Sequence, residues 1–237
     1  MQENQTLLQA ENLGLKRLRK FAFCNISLSV KPHQIIAISG EHGSGKSALL
    51  LTLSGYMKFT DGTLKICDAV LPRDKKISRP YVALGLFNKL NDFYNTQTIQ
   101  QVLLSEMKLA LKSNVFREQN KDIINDKTKL EKYAYNMLSY WKVFSPRKTK
   151  IGDLMPCERI RLAIALALLK KPYLLFVDNI ETELTTEQSN CLLEDIRSYM
   201  RDNYCSCLIG ILQSDLENKT DKVLSLKNIN SRVKWRW

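Results

Sequence analysis

The sequence is short of acidic residues. Its 237 positions hold 24 Asp and Glu against 36 Lys and Arg, a formal net charge of +12. The basic residues bunch at Leu15–Phe21 (LKRLRKF), at Ser145–Lys150 (SPRKTK) and in the tail SRVKWRW. Such a surface either meets phosphate, nucleic acid or the anionic inner face of a membrane, or consists of solvated faces that aid solubility. Charge alone does not choose between these. Long apolar runs are also missing. Leu162–Leu169 (LAIALALL) is far too short to span a bilayer. The opening MQENQTLLQAENLG lacks the basic-then-apolar layout of a secretion signal, so a cytosolic chain is expected. Six cysteines are present, with no CxxC pair among them. Cys205 and Cys207 share one face of the apolar stretch CSCLIGIL, which reads as a pair of core thiols rather than a metal or disulfide site. No internal repeat and no low-complexity linker occurs, which excludes solenoid and array architectures.

What remains has ordinary globular composition, 44% hydrophobic and 25% charged. The length suits one large domain or a core with an inserted lobe. Phe23–Val30 (FCNISLSV) and Gln34–Ser39 (QIIAIS) read as strands around the turn KPH. Ser47–Leu53 reads as a helix closed near Gly55. Gly62–Val70 (GTLKICDAV) alternates as one half-exposed strand. From about Thr98 to Met155 glycine disappears until Gly152, and TKLEKYAYNMLSYW carries helical periodicity. Strand character returns at Tyr173–Asp178 (YLLFVD) and Cys207–Leu212 (CLIGIL). The expected fold class is α/β, with a core interrupted by a mostly helical lobe.

The most specific motif is GEHGSGKS: Gly40, Glu41, His42, Gly43, Ser44, Gly45, Lys46 and Ser47. It matches G-x-x-x-x-G-K-[ST] between an expected strand and an expected helix. Backbone N–H groups of such a loop cradle a β-phosphate, which asks for residues with almost no side chain at Gly43 and Gly45. The following helix adds its free amides and its dipole. Lys46 reaches the β- and γ-phosphates, and the Ser47 hydroxyl is a ligand for Mg²⁺. A second site element is LLFVDNIETEL (Leu174–Leu184), an apolar run delivering the single carboxylate of Asp178, followed by the amide Asn179.

The stretch NISLSVKPHQIIAISGEHGSGKSALLLTLSGYMKFTDGTLKI resembles the opening of an ABC-type ATP-binding subunit. The later order of helical lobe, signature region, long helix and P-x-L-L-x-x-D fits the same family over nearly the whole chain. This resemblance implies a phosphate-loop nucleoside-triphosphatase core with an antiparallel β subdomain. It also implies a single nucleotide-binding domain over 1–237, with core at 1–87 and 156–237 and lobe at about 88–155. The implied cofactors are ATP, held by Gly40–Ser47 and Ala48 (where the family usually has threonine), and Mg²⁺, held by Ser47 and, through water, Asp178.

The departures from the family pattern fall on the hydrolytic side. Asn179 occupies the place of the glutamate that orients the attacking water, and Gln213 that of the switch histidine. Thr185 replaces the aspartate expected after ETEL. FNKLND, near Asn88–Asn91, offers no clear sensing glutamine. The signature aligns with Leu154–Glu158 (LMPCE), where Pro156 has no amide hydrogen and Met155 no hydroxyl. Glu181 is the nearest substitute carboxylate. Phe21 and Phe23 are the nearest aromatics for adenine stacking, or else plain core residues.

The resemblance therefore implies an ATP-binding transporter subunit with hydrolysis weak or lost, cytoplasmic and peripheral at the membrane through a partner. Its partners would be a separate membrane-spanning subunit, gripped near residues 88–110, and a second cassette, of its own or another kind. The alternative is a nucleotide-dependent regulatory module contacting nucleic acid, a membrane surface or a protein, with Trp235 and Trp237 amid Arg232, Lys234 and Arg236 as one contact. A fully active ATPase using substituted groups is the third reading.

Overall fold

A computed structural model describes residues 5–17, 20–87, 95–212 and 215–227. Two sheets organise them. In the first, β1 (Leu8–Arg17) pairs antiparallel with β2 (Lys20–Val30) on one edge and with β4 (Asp61–Ile66) on the other. The short β5 (Ala69–Leu71) completes the four-stranded order β2-β1-β4-β5. The single strand expected over Gly62–Val70 is in fact a hairpin. Ile66 pairs with Ala69 across a tight turn in which Cys67 takes a left-handed φ of 50°. Cys-Asp is weak turn punctuation, so the alternation reads straight through it in the sequence.

The second sheet is parallel, with order β6-β7-β8-β3-β9. Its strands are β3 (Ile35–Ser39), β6 (Val82–Leu84), β7 (Leu174–Val177), β8 (Ser206–Ile211) and β9 (Lys222–Ser225). β3, β7 and β8 are buried at every position, as strands covered on both faces must be. Alternation shows the two faces directly. Ile36, Ile38, Leu174, Phe176 and Leu208 join a core shared with the antiparallel sheet and with α1 (Lys46–Leu53). Ile35, Ala37, Leu175, Val177, Cys207 and Ile209 join a second core on the opposite face.

That second core is roofed by α6 (Pro156–Leu168) and α7 (Thr186–Asp202), and beyond them by α3 (Ile99–Ala110) and α5 (Lys127–Tyr140). The small helices α2 (Lys75–Ser78) and α4 (Asn114–Gln119) fill connections. α3 buries Ile99, Val102, Leu103, Met107 and Ala110, a stripe at three- and four-residue spacing. It begins at a capping box between Thr98 and Gln101. The Asp126 carboxylate accepts from the Lys129 amide and starts α5. Trp141, just after α5, is wholly buried; truncating it to alanine would cost about 3–5 kcal/mol. The helical segment is tied at its base by backbone bonds from Ile99 to Thr149 and from Ile151 to Gln97.

Cys205 and Cys207 both lie in the second core. Burial pushes the Cys205 thiol up to about 12, so both behave as apolar fillers rather than nucleophiles. Asn88–Asn91, Gln213 and the tail from Ser231 lie outside the described residues.

Candidate functional site

The C-terminal ends of β3, β7 and β8 converge, because parallel neighbours finish on the same edge of the sheet. β3 ends at Ser39 and releases the chain into the glycine loop, which closes on α1. Gly45 is the N-cap, with φ 97° and no side-chain cap, so no cap among the described residues occupies the first amides of α1, which suit an anion. A Cβ there would sit 2.3 Å from the Ala22 carbonyl oxygen, so only glycine fits between loop and β2. At Gly43 the constraint is different from the expected one. A Cβ would meet open space, and the left-handed φ of 78° alone makes the position glycine's.

Lys46 opens α1, and its side chain is buried against its own loop. Its ammonium donates to the carbonyl oxygens of Gly40 at 2.6 Å and Glu41 at 2.8 Å. Burial pulls its pKa below the ordinary lysine value, while Asp178 and Glu181 push it back up. Glu41, His42 and Ser47 are exposed, Ala48 is half-buried, and Ser44 is buried with no partner for its hydroxyl among the described residues.

β7 delivers Asp178 beside this loop. Burial pushes its carboxyl above the usual carboxylate range, opposed by the Ser47 hydroxyl and the Lys46 ammonium. Its Oδ1 is buried without a hydrogen-bond partner among the described residues. An orphaned carboxylate oxygen beside a hydroxyl and an anion-binding loop is the donor set for a hard divalent cation, and the residues present fit one. Gly210 of β8 makes room for this carboxylate: a Cβ there would lie 2.7 Å from Asp178 Oδ1 and 3.0 Å from Leu50 Cδ1. Nothing in the sequence pattern singles out Gly210, because the strand around it is uniformly apolar.

Asn179 turns the chain sharply, at φ 51° and ψ 52°, with its amide donating to the Gly210 carbonyl. Asparagine tolerates that left-handed conformation better than most residues. Its side-chain Oδ1 is buried and unpartnered among the described residues. Glu181 also reaches the site, within electrostatic range of Lys46, but its carboxylate accepts from the Leu212 amide just past β8. Glu183 is held by Arg159 at 2.5 Å. Thr185 acts locally, as the N-cap of α7 in a capping box with Gln188.

The LMPCE stretch begins α6, with Met155 at the N-cap and Pro156 at the first turn. Met155 is 71% exposed and Phe144 76% exposed. Glu158 turns back to accept from the amides of Phe144 and Ser145 and from the Ser145 hydroxyl. Of the two aromatics named for adenine, Phe23 is 1% exposed in the core and has no face to offer a base. Phe21 is half-buried, with the Lys16 ammonium 5.6 Å above its ring.

The family model described as ABC transporter matches residues 23–181. Among curated proteins, the chain is 28% identical over 232 residues to the lipoprotein-releasing system ATP-binding protein LolD of Wigglesworthia glossinidia brevipalpis, covering 95% of this chain and 96% of that one. It is 25% identical over 232 residues to the phosphonates import ATP-binding protein PhnC of Fusobacterium nucleatum, covering 94% and 90%. Among solved structures, cbiO1 from Clostridium perfringens, part of the complex cbiONQ, superposes with a TM-score of 0.77 at 18% identity, covering 95% of this chain and 86% of that one. A nucleotide-free ATP-binding cassette superposes with a TM-score of 0.76 at 17% identity, covering 94% and 88%. With its glycine loop, Asp178 and two-sheet architecture in place, the chain belongs to the ABC transporter family of ATP-binding subunits.

Proposed function

We propose that this chain is the nucleotide-binding subunit of a transporter that holds Mg-ATP on Gly40–Ser47 and turns it over slowly. The observation that carries the reading is the pairing of an intact phosphate loop with Asn179, an amide, directly after Asp178. Lys46 and the first amides of α1 would take the phosphates, exchanging the Gly40 and Glu41 carbonyls for stronger charge-assisted bonds. Ser47 and Asp178 would hold Mg²⁺, which supplies charge neutralisation at the phosphate oxygens.

The protein's own groups supply little beyond binding. An amide cannot take a proton from water at neutral pH, and the Glu181 carboxylate already accepts from the Leu212 amide. Loss of such groups costs two or more powers of ten in rate, about 3 kcal/mol in barrier. No helix among the described residues is long and apolar enough to cross a membrane. The reading assigns the membrane crossing to separate spanning partners. We place their contact between core and lobe near residues 88–110, and a second cassette, identical or related, across the LMPCE face. In a pair with an unaltered relative, Asn179 would leave one composite site incomplete and LMPCE the other; in a pair of identical chains each site would carry both departures.

Steady-state phosphate release from purified protein with Mg-ATP tests the reading, with Lys46→Ala as background. The expected rate is barely above that background. Brisk turnover that Lys46→Ala removes would refute slow hydrolysis while leaving ATP binding intact.

A further inference from the structure

The antiparallel sheet ends on β5, and the chain beyond that edge folds back over it. Asp74, just before α2, closes the turn through both its backbone and its side chain. Its amide donates to the Val70 carbonyl at 2.9 Å, and its carboxylate accepts from the Val70 amide at 3.0 Å. The Ile77 amide then donates to the Asp74 carbonyl at 2.9 Å. The backbone groups of Val70 are thereby satisfied, so this edge offers them to no added strand.

What the edge does present is side chains. Ile77 is 57% exposed and Val70 42% exposed, while Ser78, the next residue of α2, is buried. The end of α1 packs on the same corner. A Cβ on Gly55 would lie 3.2 Å from Leu71 Cδ1 and 3.8 Å from Ser78 Oγ. Tyr56 follows, exposed, with the Arg79 guanidinium 5.2 Å above its ring. Single exposed apolar residues are ordinary, but three gathered at one corner mark a contact surface.

The rim of that surface is cationic. Lys65 stands directly opposite Val70 in the β4–β5 register, on the same face of the sheet. Lys75 and Lys76 precede Ile77, and Arg79 follows; Lys76 and Arg79 are exposed and Lys75 is half-buried. Arg73 pairs with Asp74 at 3.1 Å, whereas Lys65, Lys75, Lys76 and Arg79 have no ion-pair partner among the described residues. Asp68 in the β4–β5 turn and Glu118 of α4 still leave the rim with a cationic excess. Solubility alone asks for such charge, but not for Ile77 and Val70 in its midst.

We propose that this corner rests on an anionic phospholipid bilayer. Ile77 and Val70 enter the boundary between headgroups and acyl chains, Tyr56 lies at headgroup level, and the four cations meet lipid phosphates. A bilayer surface is non-directional and asks for no backbone partner, which suits an edge whose own hydrogen bonds are closed. The contact stands apart from the glycine loop and does not depend on the function proposed above.

Sedimentation of the full chain with vesicles of phosphatidylglycerol and phosphatidylcholine, at low and at high salt, tests this. Adsorption to the anionic vesicles is expected, falling at high salt and absent on pure phosphatidylcholine. The paired substitution Lys75→Gln with Lys76→Gln should lower it roughly tenfold or more. Ile77→Ala should weaken it several-fold at unchanged charge. A control pair, Lys148→Gln with Lys150→Gln, removes the same charge from exposed positions before α6 and should change it by no more than about twofold. Melting temperature and ATP affinity should stay near wild type in all of these variants. No adsorption would overturn the proposal and leave the corner to an acidic face of a protein partner. Equal adsorption to phosphatidylcholine, an equal loss in the control pair, or wild-type adsorption in either corner variant would each overturn it as well.

Discussion

The Asp178 carboxylate overhangs Gly210, its Oδ1 standing 2.7 Å from the place a Cβ on that glycine would take. Asp178 follows β7 and Gly210 lies in β8, its parallel neighbour, so the smallest residue of one strand sets where the carboxylate at the end of the other can rest.

Gly210→Ala is therefore expected to displace Asp178 while leaving the glycine loop untouched. The Mg²⁺-dependent part of ATP affinity should fall at least tenfold, and Mg²⁺-free nucleotide binding should persist. Titration of a fluorescent ATP analogue with Mg²⁺ and with EDTA separates the two. An unchanged Mg²⁺ dependence would show that Asp178 does not hold the ion.

Lys46→Ala removes the one buried ammonium of the loop. Charge-assisted bonds to phosphate are each worth about 1.5–3 kcal/mol, so affinity should drop by ten- to a hundredfold or more. The same titration measures it, and a mutant with wild-type affinity would mean the nucleotide sits elsewhere.

Asn179→Glu supplies the missing carboxylate but at a strained position. A glutamate at φ 51° meets the steric penalty of the left-handed region, which asparagine tolerates better, at a cost of about 1 kcal/mol. The expected outcome is a slightly lower melting temperature with little gain in phosphate release, since Gln213 and LMPCE are unchanged. A return to rapid turnover would show that Asn179 alone limits the chemistry.

Asp195 links three elements, accepting from Lys142 at 2.8 Å and from Arg161, itself buried in α6, at 2.6 Å. Burial raises its pKa, but Lys142 and Arg161 outweigh that and hold the carboxyl below the usual range. A depressed folded pKa gives stability that is present above the unfolded value and lost as pH falls through the folded one. Asp195→Asn strands the Arg161 cation and should cost about 3 kcal/mol near neutrality. The gap between mutant and wild type should shrink below about pH 4 as the wild-type carboxyl protonates. Urea unfolding at neutral, mildly acidic and strongly acidic pH reads this, and a gap constant with pH would refute it.

Removing Ser231–Trp237 is expected to leave ATP affinity unchanged, because the loop and Lys46 lie between β3 and α1 and Asp178 follows β7. Adsorption to anionic vesicles before and after truncation shows whether the basic aromatic end contributes; equal adsorption assigns it no membrane role.

Much of the site was legible because its information is local. GEHGSGKS specifies a loop conformation through glycines and a lysine at set spacing, and the apolar run into Asp178 marks a buried strand end. The helical segment announced itself by periodicity, and β3, β7 and β8 by their short apolar runs. The hairpin at Cys67 was not legible, since its turn residues carry weak punctuation while alternation continues on both sides.

The sequence by itself determined that a phosphate loop exists, that a carboxylate ends a buried strand, and that an amide follows it. Tertiary structure alone decided what those residues face. Gly210 shelters Asp178 because parallel pairing sets β8 against β7, two strands far apart along the chain. Glu181 is tied to the Leu212 amide, Phe23 is turned into the core, and Gly45 is pressed on Ala22 for the same reason. Contacts between distant segments are fixed by the packing of whole sheets and helices, which no local pattern of residues encodes.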